Sequence, residues 1–268
     1  MKRTRSAKKK RPGAKLGQHL LTNAGIADAV AQAAHIEKGD TVLEIGPGSG
    51  ILTNALLTRG AHVVAVEKDP TMIATLEKRF ADEIADGSLV LKEGDARELT
   101  PENIFPKGSY KIAANIPYYI TGELIRTALT AKNKPRTLAF LVQKEVAERI
   151  ARTKKESILS LSVKAYGTPR YVRTVKAGSF NPPPSVDSAI LAIENISSQN
   201  FKDVLEEHFF RVVKTGFAQK RKMLLGNLTR AFGARAKEAC EKSGITPNAR
   251  AEDVSLETWF ALAARLAE

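Results

Sequence analysis

Between residues 40 and 143, short apolar runs alternate with segments of helical character, and this alternation allows only a few folds. Most of the runs are continuously apolar, as expected for parallel strands that are covered on both faces. Helical segments such as Thr71 to Ala85 fit between them. Strands separated by helices predict β-α-β units around a parallel sheet, so we predict an α/β fold. The predicted strands are Thr41 to Gly46, His62 to Glu67, Ser88 to Asp95, Tyr110 to Ile116 and Thr137 to Gln143.

The pattern changes after residue 157. The segment LSLSVKAY fits both the helical and the strand period, whereas YVRTVKA and DSAILAIE predict strands that form an antiparallel pair. Beyond Asn195 the strand signal disappears, and helices are predicted. We therefore predict a basic disordered tail over residues 1–11, an α/β domain over 12–195 and a small helical domain over 196–268. The predicted helices are Phe201 to Phe217, Lys220 to Phe232, Ala234 to Ser243 and Ser255 to Ala267.

The net positive charge of the chain indicates what kind of partner it binds. The chain carries a formal net charge of +13, and its first eleven residues, MKRTRSAKKKR, hold seven Lys or Arg and no acid. A basic protein concentrates near polyanions and gains affinity by releasing their counterions, so nucleic acid is the expected partner. A solubilising role is the alternative for the tail. Cys240 is the single cysteine, which excludes an intrachain disulfide and a multi-cysteine zinc site. We expect a cytoplasmic monomer without a membrane segment or a metal.

Polar groups are predicted at one edge of the sheet, where the strands end. The first strand runs into GPGSG and then a helix, so backbone N–H groups converge there. Gly46, Gly48 and Gly50 are followed by Ile51, which departs from the dinucleotide fingerprint. Glu67 and Asp95 end the next two strands, where a carboxylate can accept ribose hydroxyls or an exocyclic amine. A tight turn and helix caps would also explain these residues; together they favour a nucleoside-containing cofactor.

The stretch ANIPYYIT places Asn115 after the fourth strand and Pro117 in the turn that ends it. An exocyclic amine of a base is a poor nucleophile, and carbonyl groups of Asn115 and of the Ile116–Pro117 turn can hold its hydrogens. A base must leave its stack to be reached, and aromatic side chains such as Tyr118 and Phe180 can then hold it. The alternative is a plain turn with packed tyrosines and a rigid proline connector.

Several motifs in order resemble the small-subunit ribosomal RNA adenine N6-dimethyltransferase family: GQHLL, EIGPGSGILT, VVAVEKDP, EGDA, NIPYYIT, QKEVAERI, FNPPPSVDSA, FAQKRKML and ITPNARAEDVS. The resemblance spans nearly the whole chain. It implies a Rossmann-like methyltransferase domain that uses S-adenosylmethionine, followed by a small helical domain that engages ribosomal RNA. It also implies that two adjacent adenosines in the last hairpin loop of small-subunit (16S) ribosomal RNA each receive two methyl groups as the 30S particle matures.

The resemblance also assigns residues. Asn115, Pro117, Tyr118 and Phe180 surround the target base, and Lys220, Arg221 and Lys222 engage RNA. His19 stands where the family often has Asn, and Ile158 and Leu159 stand where Tyr-Gly is common. The implied cofactor contacts are Gln18, His19, Leu21, Gly46, Gly48, Glu67, Lys68, Asp95, Ala96 and Asn115.

Three alternatives were weighed. A methyltransferase of the related antibiotic-resistance type would act on large-subunit RNA, but the C-terminal motifs argue against it. An RNA-binding assembly or transcription factor could retain the fold with little catalysis, and the intact Asn115, Tyr118 and Phe180 argue against that reading. A nicotinamide oxidoreductase is disfavoured by the glycine spacing.

Overall fold

The structure is a computed structural model that describes residues 19–98 and 100–267. Nine strands and twelve α-helices lie in this part of the chain, joined by short 3₁₀ turns. The strands are β1 (Leu20–Leu21), β2 (Thr41–Ile45), β3 (His62–Glu67), β4 (Leu89–Glu93), β5 (Lys111–Asn115), β6 (Leu138–Gln143), β7 (Thr168–Val175), β8 (Phe180–Asn181) and β9 (Ser188–Glu194). The helices are α1 (Ala24–Ala33), α2 (Ile51–Thr58), α3 (Pro70–Arg79), α4 (Ala81–Ala85), α5 (Pro101–Ile104), α6 (Thr121–Thr130), α7 (Lys144–Ala151), α8 (Ile158–Tyr166), α9 (Glu206–Gly216), α10 (Leu224–Phe232), α11 (Arg235–Lys242) and α12 (Leu256–Ala267).

Seven strands form one sheet in the order β4-β3-β2-β5-β6-β9-β7. The strands from β4 to β6 run parallel, whereas β9 is antiparallel to both β6 and β7. The five strands predicted before residue 143 are confirmed, with ends shifted by at most two residues, and so is the antiparallel pair. A second, two-stranded sheet pairs β1 with β8, so that Leu20 faces Asn181 and Leu21 faces Phe180.

The structure decides one segment that the sequence left open and divides one predicted helix in two. LSLSVKAY lies in helix α8, which begins at a capping box in which Ser157 and Ser160 each bond the other's backbone N–H. The continuous helix predicted from Thr71 to Ala85 is wrong, because Phe80 separates α3 from α4. Phe80 leaves the helical conformation (φ −118°, ψ 36°) and buries its ring in the core. Burial of this ring explains the break that the sequence pattern does not show.

Apolar residues form one cluster on each face of the sheet and a third around helices α9 to α12. The third cluster is centred on the fully buried Trp259 and also contains Leu161 and Ala165 of α8. The C-terminal helices thus pack directly on α8. The division into domains at residues 195 and 196 stays a prediction.

Among the described residues, no helix combines the length and the apolar character needed to cross a bilayer. In the same part of the chain, His, Cys, Asp and Glu side chains form no group of three or more that could hold a metal ion.

Candidate functional site

Two adjoining pockets lie where the parallel strands end. The carboxyl ends of β2, β3 and β5 meet at one edge of the sheet, as ligand sites in open α/β sheets do. The two pockets adjoin each other, because Gly46, Glu67 and Pro117 line both of them. The first is lined by His19, Leu20, Gly46, Gly48, Glu67, Asn115, Ile116, Pro117 and Tyr118. The second is lined by Ile45, Gly46, Val66, Glu67, Lys68, Gly94, Asp95, Ala96, Pro117, Tyr119 and Ile120.

Glycines form the floor between the pockets. Gly46 and Gly48 have φ values of +69° and +54°, a left-handed conformation that glycine adopts without strain. A Cβ atom on Gly48 would lie 2.7 Å from Cδ2 of Leu20, which is too close. The turn after β2 therefore requires glycine and leaves a cradle lined by backbone.

The Glu67 carboxylate holds this turn in place. Its Oε1 accepts hydrogen bonds from the backbone N–H groups of Lys68 (2.8 Å) and Asp69 (2.9 Å), and its Oε2 accepts one from Gly48 (3.1 Å). The side chain is almost fully buried yet lines both pockets. A carboxylate has about four acceptor positions, so Oε2 keeps one for a ligand hydroxyl. Glu67 thus shapes the loop and can also bind a ligand.

Asp95 lies in the second pocket between two cations. Nζ of Lys68 is 2.7 Å from its Oδ2, and Nη2 of Arg97 is 2.5 Å from the same oxygen. Hydrogen bonds from Arg97 and then Lys68 hold the pKa of the Asp95 carboxyl well below its usual range. Asp95 is therefore ionised at any physiological pH. Its Oδ1 also accepts hydrogen bonds from the backbone N–H (3.0 Å) and Nε (3.1 Å) of Arg97, so all of its acceptor positions are in use, and Lys68 is held at the same wall.

A third carboxyl lies beneath the site. Glu44 on β2 is fully buried; its Oε2 accepts a hydrogen bond from Oγ1 of Thr53 (2.7 Å), and its Oε1 has no hydrogen-bond partner. Burial raises the pKa of Glu44 to about 8, the Glu67 charge adds to this, and the Thr53 hydrogen bond opposes it. Glu44 is therefore mostly neutral at pH 7. Sequence analysis missed it because nothing in the strand pattern marks a buried acid.

The orientation of the Asn115 amide is fixed by one contact. Its Nδ2 donates a hydrogen bond to the backbone oxygen of His19 (2.9 Å). Because a carbonyl only accepts, the nitrogen must face His19, and Oδ1 is left as an acceptor. No hydrogen bond among residues 19–98 and 100–267 involves Oδ1. Asn115, the last residue of β5, and Pro117, in the turn after it, both line the first pocket.

Tyr118 forms the aromatic wall of the first pocket. Its hydroxyl is 2.6 Å from Oγ of Ser188, a fully buried residue at the start of β9. The ring centroids of Tyr118 and His19 are 5.8 Å apart with planes tilted by 32°. Burial raises the pKa of Tyr118, whereas the Ser188 hydrogen bond lowers it. The ring is thus anchored at its polar end and half-buried in the pocket.

Leu21 and Phe180 pack in the core. Each is only 4% exposed and neither lines the two pockets, so their contacts with the cofactor and the target base stay predictions. Pairing of β1 with β8 turns these two opposed residues to the same side, while Leu20 faces the pocket. The alternation of side chains along a strand could have identified Leu20, had the β1–β8 pairing been visible in the sequence.

The other assigned residues fall into three groups. Lys68 and Ala96 line the second pocket, and His19 lines the first. Gln18 and the basic segment 1–11 lie outside the described residues. Tyr119, which the sequence did not single out, lines the second pocket and is 67% exposed.

Lys220, Arg221 and Lys222 are exposed in the turn between α9 and α10. Lys220 lines a cleft together with Arg149 and Lys155, two basic residues that sequence analysis did not assign. A salt bridge of 2.6 Å between Lys155 and Glu252 crosses this cleft and joins the segment before α8 to the C-terminal region. The cleft begins beside α7, which starts at the same sheet edge as the pockets.

Fold and site together define the class. A mostly parallel sheet with one antiparallel strand inserted next to its last strand, a glycine cradle and acids after successive strands make the chain an S-adenosylmethionine-dependent methyltransferase. Two solved structures that resemble this one agree with this class. The 23S rRNA methyltransferase ErmE superimposes with a TM-score of 0.76 at 24% identity, covering 93% of this chain and 100% of that one, which shows the fold. A dimethyladenosine transferase from Plasmodium falciparum gives a TM-score of 0.75 at 29% identity, covering 91% and 96%.

Within this class, the chain belongs to the ribosomal RNA adenine dimethylase family, whose pattern matches residues 8–268. A ribosomal RNA small subunit methyltransferase A from Dehalococcoides mccartyi is 39% identical over 249 residues, 91% of this chain and 84% of the relative. The protein of the same name from Fusobacterium nucleatum is 36% identical over 254 residues, 92% and 95% of the two chains. The resemblance noted in the sequence is confirmed, and the chain is an adenine-dimethylating enzyme of ribosomal RNA.

Proposed function

We propose that this enzyme dimethylates N6 of two adjacent adenosines in the last hairpin loop of 16S ribosomal RNA, on immature 30S particles in the cytoplasm, and that it acts as a monomer. The relatives named for the small ribosomal subunit support the choice of RNA. The observation that carries the chemistry is the fixed Asn115 amide, with Oδ1 as an acceptor at the pocket.

The residues around the pockets fit the cofactor. The Gly46–Gly48 cradle admits a ligand close to the backbone, and the spare acceptor position of Glu67 suits ribose hydroxyls. Asp95, ionised in the second pocket, would accept the exocyclic amine of the cofactor adenine in exchange for one of its hydrogen bonds from Lys68 or Arg97, beside Ala96. S-adenosylmethionine supplies a sulfonium-bound methyl group. The proposed cofactor contacts are His19, Gly46, Gly48, Glu67, Lys68, Asp95, Ala96 and Asn115, with Gln18 outside the described residues.

Asn115 would prepare the target amine. The lone pair of an adenine N6 is delocalised into the ring, so the nitrogen must be held in a pyramidal form. Oδ1 of Asn115 and a backbone carbonyl of the Ile116–Pro117 turn accept its two hydrogens. The transfer needs no general base, since the proton can leave to water. Tyr118 would stack on the extruded base and hold the nitrogen in line for transfer.

RNA would be engaged by the basic turn between α9 and α10. Lys220, Arg221 and Lys222 are all exposed in this turn. Their charges would position the phosphate backbone without reading sequence. The target loop would then reach the pockets at the adjacent sheet edge.

Labelled S-adenosylmethionine incubated with unmethylated 30S particles, naked 16S RNA and 50S particles tests the proposal. We expect label in the 30S sample and, after nuclease digestion, N6,N6-dimethyladenosine at two adjacent positions. Label only in the 50S sample would overturn the choice of substrate. Gel filtration with light scattering tests the monomer, which a dimer mass would refute.

A further inference from the structure

Extruding a base from RNA costs a few kcal/mol, and stacking on one aromatic side chain returns about 1–3 kcal/mol. One ring therefore offsets the cost only in part. Tyr118 is available in the first pocket, whereas Phe180, the second aromatic expected from the sequence, is buried in the core. A second ring must come from elsewhere if the target base is to be held firmly.

The His19 imidazole is the ring that the structure brings to Tyr118. Their centroids are 5.8 Å apart, their planes are tilted by 32°, and both residues line the first pocket. Rings at this spacing touch each other and form one continuous aromatic surface, not a slot between two parallel faces.

One contact orients the His19 ring, and another holds its backbone. Nδ1 lies 2.8 Å from the backbone oxygen of Pro182, and because a carbonyl only accepts, Nδ1 carries a hydrogen. The backbone oxygen of His19 in turn accepts the hydrogen bond from Nδ2 of Asn115. The imidazole is therefore held between the proline-rich loop and the residue that would hold the target amine.

We propose that His19 is a base-binding residue whose imidazole extends the Tyr118 surface and contacts the extruded adenine of the RNA. This role rests on the proposed function and goes beyond the cofactor contact expected for this position. It makes the His19 ring, together with Tyr118, responsible for the affinity for the extruded base.

Two substitutions separate the ring from its hydrogen bond. His19→Asn keeps an amide that can donate to Pro182 but removes the ring, whereas His19→Phe keeps a ring and removes the donor. We expect His19→Asn to raise KM for unmethylated 30S particles about 5- to 160-fold, the range that the loss of one stacking contact of about 1–3 kcal/mol gives. His19→Phe should recover most of this loss. His62→Asn, an exposed histidine at the opposite end of β3, serves as the control and should match the wild type.

A spectroscopic readout completes the test. RNA with 2-aminopurine at the target position loses fluorescence when that base stacks on aromatic rings. When all of the RNA is bound by enzyme, we expect the 2-aminopurine fluorescence to be brighter with His19→Asn than with either the wild type or His19→Phe. His19→Gln replaces His19→Asn if thermal melting shows that the latter is unfolded. The role of the ring would be overturned if His19→Asn had the same KM and the same fluorescence as the wild type. It would also be overturned if His19→Asn and His19→Phe raised KM equally. Wild-type enzyme that fails to methylate 30S particles would instead overturn the proposed function.

Discussion

The Tyr118 hydroxyl lies 2.6 Å from Oγ of Ser188, a residue with no exposed surface that opposes Gln143 and Val175 in the sheet. Ser188 sits on β9, the antiparallel strand between β6 and β7. Because its strand is paired on both sides, Ser188 has little freedom to move. The hydrogen bond thus ties the half-buried Tyr118 ring to a strand that is paired on both sides.

Removing either end of this hydrogen bond should have the same effect. A neutral hydrogen bond contributes about 0.5–1.5 kcal/mol, so Ser188→Ala and Tyr118→Phe should each lower kcat/KM for 30S particles about 2- to 12-fold. The double variant should be no worse than either single one, since both remove one interaction. Tyr118→Ala, which loses the ring as well, should be much less active. The measurement is kcat/KM for methyl transfer by the two single variants and the double variant. The anchoring role would be refuted if the double variant lost the product of the two single fold-changes.

Glu44 should make stability fall as pH rises. Its carboxyl has a pKa of 4.5 in the unfolded chain and about 8 in the folded protein, because burial disfavours the charged form. Between these values the folded state binds more protons, so the free energy of unfolding falls by up to about 1.4 kcal/mol per pH unit. Below pH 4.5 both states are protonated, and the effect vanishes.

Glu44→Gln removes this titration while keeping an oxygen for the Thr53 hydroxyl. Urea unfolding from pH 4.5 to 9 should show the two proteins closest in stability at the acidic end. As pH rises towards 8, the free energy of unfolding of the variant should increase relative to that of the wild type. Above pH 8 this difference should stay constant. Stability curves that run parallel over the whole range would show that Glu44 does not titrate as its burial implies.

Asp95→Asn should weaken cofactor binding without affecting RNA binding. The carboxylate is the acceptor of the second pocket and is paired with Lys68 and Arg97, so neutralising it removes an acceptor and leaves both cations unpaired there. We expect Kd for S-adenosylmethionine, measured by calorimetry, to rise about tenfold or more. Asp86→Asn, at the exposed turn before β4, is the control. An unchanged Kd for Asp95→Asn would remove Asp95 from the cofactor site.

Replacing Lys220, Arg221 and Lys222 by Gln should flatten the salt dependence of RNA binding. Each phosphate contact contributes about 0.7–0.9 to the slope of log K against log salt, so three contacts contribute about 2–3. The control replaces Lys38, Lys107 and Lys132, which are exposed at the opposite edge of the sheet. The same slope in both triple variants would show that the turn between α9 and α10 has no special role in RNA binding.

Strand positions were predictable because burial on both faces leaves continuous apolar runs that fit no other element. The meeting of Gly46, Glu67 and Asn115 follows from the same logic, since parallel strands end at one edge. LSLSVKAY fits both the helical and the strand period. It forms a helix because of the capping box at Ser157 and because α8 packs on the C-terminal helices.

The aromatic wall was harder to predict. Leu21 and Phe180 pair although more than 150 residues separate them, and this pairing turns both side chains into the core. Sequence alone carries no signal for such a two-residue sheet. The same pairing places His19 at the pocket, where its ring and its backbone oxygen become parts of the site.

Single-turnover methyl transfer by Asn115→Ala to unmethylated 30S particles tests the central claim most directly. With enzyme and S-adenosylmethionine in excess, the rate reports the transfer step itself. If Oδ1 of Asn115 holds the target amine, the rate should fall at least about 100-fold, as when one preorganised partner of a reacting group is removed, while RNA still binds. Asn54→Ala, on the exposed face of α2, should leave the rate unchanged. Transfer at the wild-type rate by Asn115→Ala would contradict the account.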